Sequence, residues 1–135
     1  MDADLWSEAR GDFIASGYYR DVFEYRLGTG YVLKVEHRPG TFQNVAEWLV
    51  WDRVQDADVA RWLAPCENIS GCGRYLTMVR TIPLRPRDKL PAQLPIFLAD
   101  VQRSNFGWLD GRIVCHDYGI LRWELPQRLR RVKWE

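Results

Sequence analysis

The sequence predicts a single α+β domain in which an antiparallel sheet with one main helix precedes a smaller region built on a hairpin. Residues 18–36 are rich in aromatic and β-branched side chains, which favour extended structure. After Pro39 and Gly40, apolar side chains recur at helical spacing and predict the helix. Asp110 and Gly111 lie between two apolar-rich runs, a pattern typical of a tight hairpin.

The elements of the first half follow from periodicity and turn residues. Residues 2–15 predict a short helix or arm, because their apolar side chains fall near helical spacing. Residues 18–36 predict two or three strands, the last of them at Tyr31–Glu36. The main helix is predicted to begin with Asn44 as its cap, and Glu47 then occupies the third position of a capping box.

The second half contains shorter elements. Residues 67–82 predict a hairpin, and the four prolines within 83–95 exclude a long regular helix there. The run 96–99 predicts a short buried strand, and 105–117 contains the second hairpin. From Ile120 onward the apolar residues fall at helical spacing among basic residues.

Length and composition fit one folded domain. The chain has 135 residues, of which 47% are hydrophobic, enough to bury a core. The formal net charge of +1 argues against a surface dedicated to nucleic acid or membrane. No apolar run approaches the roughly 20 residues of a membrane span. Three cysteines, an odd number, without a secretory leader predict reduced thiols and a cytoplasmic protein.

One short segment carries most of the chemistry-bearing residues. Asp100 and Asn105 stand in the order D-x-x-x-x-N, and Asp117 follows the hairpin in the sequence Asp-Tyr-Gly. Carboxylate and amide oxygens are ligands that magnesium prefers, and a carboxylate can also orient an attacking hydroxyl. Each residue alone fits a turn equally well, because Asp and Asn bond nearby backbone groups. The ordered combination is what indicates phosphoryl-transfer chemistry.

Together with Lys34 in Tyr-Val-Leu-Lys-Val-Glu and Glu47 on the helix, this segment resembles the protein-kinase-like family, which includes the aminoglycoside phosphotransferases. The resemblance implies that Lys34 contacts the α- and β-phosphates of ATP and pairs with Glu47. It also implies that Asp100 positions the acceptor hydroxyl, while Asn105 and Asp117 hold Mg²⁺.

The same resemblance assigns a nucleotide pocket and a division of the chain. Gly17 would lie at the turn of a reduced glycine-rich strand pair, and Val22 would cover the base. Met78 would be the gatekeeper, and Val79 to Thr81 would offer backbone groups to adenine. Residues 1–82 would then form the N-terminal lobe and 83–135 a reduced C-terminal lobe.

Departures from the family pattern keep the activity open. The chain has no G-x-G-x-x-G, Leu98 and Ala99 replace the usual His-Arg before Asp100, and 16 residues follow Gly119. A minimal phosphotransferase is therefore one interpretation. The other is a pseudokinase-type interaction protein that binds a host or partner protein, or a second copy of itself, without catalysis. Its small size favours a phage origin.

Two minor alternatives complete the set. Trp108, Trp123 and Trp134 are candidates for an exposed protein-binding surface. The basic tail is a candidate for nucleic acid, although so short a run is more typical of a solvated face, so nucleic acid is not an expected partner. A zinc site is also conceivable, although its first two cysteines have an unusual spacing. Its ligands would be Cys66, Cys72, Cys115 and His116.

Overall fold

The computed structural model describes residues 3–98, 100–119 and 128–135. Within these ranges the protein is mixed α+β and mostly antiparallel, with helices α1 (Ala3–Glu8) and α2 (Gln43–Val54). Two short 3₁₀ helices cover Asp58–Trp62 and Arg103–Asn105. The strands are β1 (Arg10–Ser16), β2 (Arg20–Tyr25), β3 (Tyr31–Glu36), β4 (Cys66–Ile69), β5 (Tyr75–Val79), β6 (Ile82–Pro83), β7 (Gln93–Pro95), β8 (Phe106–Leu109), β9 (Arg112–Cys115) and β10 (Leu129–Arg131).

The largest sheet has five strands in the order β1-β2-β3-β5-β4, and every pair in it is antiparallel. Because successive side chains alternate between the two faces, the central strands β2, β3 and β5 contribute to two cores. Leu33 and Val35 pack with Trp6 of α1 on one face, whereas Val32 joins the main core on the other. Helix α2 packs on the second face through Val50.

Two smaller sheets complete the fold. Strands β6, β8 and β9 form one sheet, and β7 pairs with β10 in the other. The β8–β9 turn has Asp110 at φ 50° and Gly111 at φ 79°, the positive angles that a tight two-residue hairpin needs. The hairpin predicted over 105–117 is thus confirmed, as is the hairpin predicted over 67–82 through β4 and β5.

The prediction of a helix or arm over residues 2–15 is wrong in its second half. Helix α1 ends at Glu8, and β1 begins at Arg10. Phe13 lies on that strand and meets the Phe23 ring edge-on, with ring centroids 5.9 Å apart. The strand forms because β2 offers it a partner, and such a tertiary pairing overrides a weak local helical pattern.

Asn44 does not cap α2, contrary to the prediction. The helix begins after Phe42, and the Asn44 side chain is buried, donating to the backbone carbonyls of Lys34 and Arg74. The cap acceptor comes from strand β3: the Glu36 carboxylate accepts the Gln43 backbone N–H at 2.9 Å. A carboxylate at this end also suits the helix dipole.

Two further predictions are corrected. The sequence predicts a buried strand over 96–99, of which position 99 lies outside the described residues. The strand in this region lies earlier, at Gln93–Pro95, where β10 pairs with it, and Phe97 and Leu98 are buried in a turn. The tail predicted as helical has β10 at Leu129–Arg131 instead, and positions 120–127 lie outside the described residues. No helix of the described ranges is long and apolar enough to cross a membrane.

Candidate functional site

A cavity of about 670 Å³ lies between the α2 face of the five-stranded sheet and the segment 100–119. The β2–β3 register sets its upper wall, because Arg20 lies opposite Glu36 and Val22 opposite Lys34. All the residues predicted for the site line this cavity except Glu47, which lies behind Lys34. Those that line it are Gly17, Val22, Lys34, Met78, Val79, Thr81, Asp100, Asn105 and Asp117.

Glu47 is the centre of a buried charge cluster. Its carboxylate is fully buried and accepts hydrogen bonds from Lys34 Nζ at 2.8 Å and from both Nη atoms of Arg20 at 2.8 and 3.0 Å. It also accepts the Tyr118 backbone N–H at 2.8 Å. Burial alone would raise the pKa of Glu47, but the charges of Arg20 and Lys34 outweigh it and hold that pKa below its usual range. Helix α2 is thereby tied to β2, β3 and the segment after β9.

Arg20 is the residue that sequence reasoning missed. It is buried, and besides Glu47 its guanidinium contacts Asn44 Oδ1 and Asp117 Oδ1, each at 3.0 Å. Burial would lower its pKa, but the Glu47 and Asp117 carboxylates raise it, so Arg20 stays charged. Strand alternation could have indicated it, because Arg20 lies two residues before Val22 on β2 and therefore on the same face of the sheet.

Lys34 lies at the polar end of the cavity with two of its three ammonium hydrogens engaged. One is directed at Glu47 and another at the backbone carbonyl of His116. A lysine ammonium has three donors, so one remains free of partners among the described residues. Lys34 is therefore aimed and anchored while keeping a donor for an incoming group.

The lower wall is built from the three acidic and amide residues predicted for it. Asn105 is buried, and its side chain donates to the Asp100 backbone carbonyl at 3.2 Å. The Asn105 backbone carbonyl accepts the His116 backbone N–H at 2.9 Å. This bond brings Asp117, the next residue in the chain, close to Asn105. The side chains of Asp100 and Asp117 are exposed to the cleft side, Asp117 by about half (51%). Partial burial and the nearby Glu47 charge raise the pKa of Asp117.

The segment from Val79 to Thr81 only partly matches its predicted contribution. The Val79 N–H donates to the Pro65 carbonyl and the Arg80 N–H to the Gly30 carbonyl, so both are already used. Thr81 bonds through its hydroxyl to His116 Nδ1 at 2.7 Å, and His116 Nε2 donates to the Ser104 carbonyl at 2.8 Å. Burial and the Lys34 charge lower the pKa of His116 to about 4, so this imidazole is neutral at pH 7.

The oxygen donors at the lower wall are of the type that magnesium prefers. However, one Asp117 oxygen already pairs with the Arg20 guanidinium at 3.0 Å, and this charge disfavours a divalent cation at that carboxylate. The Asn105 amide nitrogen donates within its own loop, which leaves the Asn105 side-chain oxygen available among the described residues. No group of three or more His, Cys, Asp or Glu within 3–98, 100–119 and 128–135 is placed to hold a metal. The zinc alternative gains no support, and all three cysteines are free.

Comparisons with protein-family models, curated proteins and solved structures found no match to this chain. The interpretation of the cleft therefore depends on its own geometry.

Proposed function

We propose that this protein is a minimal kinase-like protein whose cleft binds a nucleotide such as ATP. The observation that carries the proposal is the Lys34–Glu47 ion pair of 2.8 Å between β3 and α2, at the end of a cavity large enough for a nucleotide. A lysine on the third strand, paired with a helix glutamate, is how protein kinases aim a cation at phosphates.

The two ends of the cavity suit the two ends of a nucleotide. Val22, Val32 and Met78 line an apolar part that would receive the base, and Lys34 lies beyond them. Asp100 on the opposite wall is the residue that would position an acceptor hydroxyl if the protein transfers phosphate. Catalysis, the acceptor, the two-lobe division at residue 82, the phage origin and the cytoplasmic location stay predictions.

Thermal unfolding with and without ATP tests the proposal. A ligand that binds only the folded protein stabilises it, so ATP at about 100 times its dissociation constant should raise Tm by roughly 5 °C or more. The titration is run both with Mg²⁺ and with EDTA. Absence of a shift in both buffers would refute nucleotide binding.

A pair of variants tests whether the ATP-induced shift in Tm arises from binding in this cavity. Val22→Trp places a large side chain inside the apolar part and should abolish the ATP-induced shift. Leu49→Trp introduces the same side chain at an exposed position of α2, outside the cavity lining, and should leave the shift intact. Equal shifts in the two variants would locate the nucleotide elsewhere.

A second candidate is an interaction protein that keeps this cleft without using it. The observation in its favour is that Arg20 and Asp117 already satisfy each other. Exposed aromatic side chains offer contact surface: Tyr18 (84%) lines the cavity, and Phe13 (59%) lies beside Phe23 on the α1 face of the sheet. Of the tryptophans predicted for this function, Trp123 lies outside the described residues. Trp108 and Trp134 are half-buried, with their indole N–H groups bonded to Asp88 and the Pro91 carbonyl.

The oligomeric state of the protein tests this second candidate function. If the aromatic surface joins two copies, sedimentation should find a concentration-dependent dimer that Phe13→Asp dissociates. A protein that stays monomeric and binds ATP would exclude the homodimer form of this function.

A further inference from the structure

We propose that the cleft binds the nucleotide polyphosphate without a divalent cation, because the Arg20 guanidinium already pairs with Asp117, the carboxylate that the resemblance assigns to magnesium. This inference rests on the proposed function and specifies the ionic form of its ligand. It gives Arg20 the role of a positioning residue that neutralises Asp117 from within the fold.

The first step is the fixed position of Arg20. Its two Nη atoms make all of their contacts inside the protein, two with Glu47, one with Asn44 and one with Asp117. A planar guanidinium bound on several sides is pre-organised and loses little freedom when a ligand arrives. The charge beside Asp117 is therefore a permanent part of the site.

The second step is what that charge does for a phosphate. An isolated carboxylate at Asp117 would repel a polyphosphate, and magnesium normally cancels such repulsion by lying between the two groups. Here the Arg20–Asp117 pair of 3.0 Å cancels it. A divalent ion at Asp117 would instead face a guanidinium anchored by the buried Glu47, and like charges at that range repel.

The third step is the charge balance of the cavity. Its lining holds four cationic side chains and two carboxylates, and His116 adds no charge at pH 7. Glu47 behind the lining and Glu24, which pairs with Arg80, offset two of these positive charges, so the cleft attracts an anion through the donors it offers rather than through a net charge. Lys34 retains a donor for a phosphate oxygen, as described above. The charged lining residues are Arg20, Lys34, Arg80, Arg103, Asp100 and Asp117.

The test compares ATP affinity in EDTA and in excess Mg²⁺ by calorimetric titration of the full chain. We expect the two dissociation constants to agree within about threefold, because nucleotide binding should gain no free energy from the metal. Binding at least about tenfold tighter with Mg²⁺ would overturn the inference while leaving nucleotide binding intact. Absence of binding in both buffers would overturn the proposed function and this inference together.

Two variants separate the role of Arg20 from that of Asp117. Arg20→Gln removes the internal cation, so affinity in EDTA should fall by about tenfold and Mg²⁺ should restore part of it. Asp117→Asn removes a negative charge and frees Arg20 toward the phosphates, so affinity in EDTA should rise by about threefold. Loss of affinity in Asp117→Asn would contradict the inference, because it would make that carboxylate necessary.

The controls guard against misfolding. Asp110→Asn makes the same change at the exposed β8–β9 turn, where Asn also adopts a positive φ, and should leave both affinities unchanged. Circular dichroism checks each variant. If Arg20→Gln does not fold, the direction of the Asp117→Asn effect decides the question by itself.

Discussion

The two faces of the five-stranded sheet bury different chemistry. On the α1 face, Trp6 stacks on Tyr75 with ring centroids 5.9 Å apart, above Leu33. On the α2 face, the same strands present Lys34 and Arg20 to the buried Glu47. Strand β3 shows the alternation directly, since Leu33 and Lys34 are neighbours in the chain and lie on opposite faces.

The difference lies in what each face needs to stay buried. Apolar side chains need matched volume, and their loss costs transfer and cavity free energy. Buried ions need partners, since a lone charge in the interior is expensive. The apolar face should therefore respond to changes of size, and the charged face to changes of charge and pH. Four predictions test this contrast.

The largest effect is expected from Glu47→Gln. This change leaves Arg20 and Lys34 buried with one fewer carboxylate, so the free energy of unfolding should fall by about 4 kcal/mol. Urea denaturation measures it. Glu67→Gln, the same change at an exposed strand position, should have an effect within about 0.5 kcal/mol. Similar losses in both variants would contradict the importance of the buried cluster.

Leu33→Ala tests the apolar face. Leu33 has no solvent exposure, and its truncation should lower the free energy of unfolding by about 3 kcal/mol through the cavity it leaves. This loss should be the same at pH 5 and pH 8, because no ionisable group is changed. Leu49→Ala on the exposed side of α2 is the matched control. A loss of unfolding free energy that varies strongly with pH would contradict the proposed difference between the two faces.

The charged face should also lose stability in acid through His116. The unfolded chain takes up a proton at this histidine below about pH 6.5, whereas the folded chain keeps it neutral down to about pH 4. Its contribution is therefore full above pH 6.5 and is lost as the pH falls to 4, by about 3 kcal/mol at most. The raised pKa of Asp117 acts in the opposite direction and reduces the net change.

Chemical denaturation at a series of pH values measures this loss. His116→Gln should flatten the profile between pH 6.5 and 4. Parallel profiles for wild type and His116→Gln would rule out the imidazole as the source.

The smallest effect is expected at the surface pair Arg80–Glu24. Both side chains are nearly half exposed, 45% and 46%, at a separation of 3.0 Å. Solvent screening reduces such pairs, so Glu24→Gln should cost less than about 0.5 kcal/mol. Urea denaturation of this variant beside Glu47→Gln then isolates the effect of burial on an ion pair. A cost comparable to that of Glu47→Gln would remove the contrast.

Local signals explain which elements the sequence could predict. The β8–β9 hairpin was predictable because Asp110 and Gly111 set the turn by themselves. Strand β1 was not, because Phe13 is held extended by a partner strand rather than by its neighbours. Asn44 has the residue type of a cap, and only the tertiary fold puts the Glu36 carboxylate in that position.

The candidate site also divides into features that local sequence could predict and features that depend on tertiary contacts. Residue type and order singled out a set of residues that, apart from Glu47, line one cavity. The Arg20–Asp117 contact joins residues 97 positions apart, and nothing local marks it. Alternation along β2 gave the face on which Arg20 lies but not the carboxylate it would meet.

The Glu36 contact with the start of α2 has a consequence for chain length. A single carboxylate fixes the end of β3 and the first turn of the helix, so the connection His37–Phe42 must keep its span. Surface loops usually tolerate added residues at small entropic cost. Inserting glycines here should instead uncouple the helix from the strand, whereas the Gly28–Gly30 turn at the other end of β3 should accept the same insertion readily.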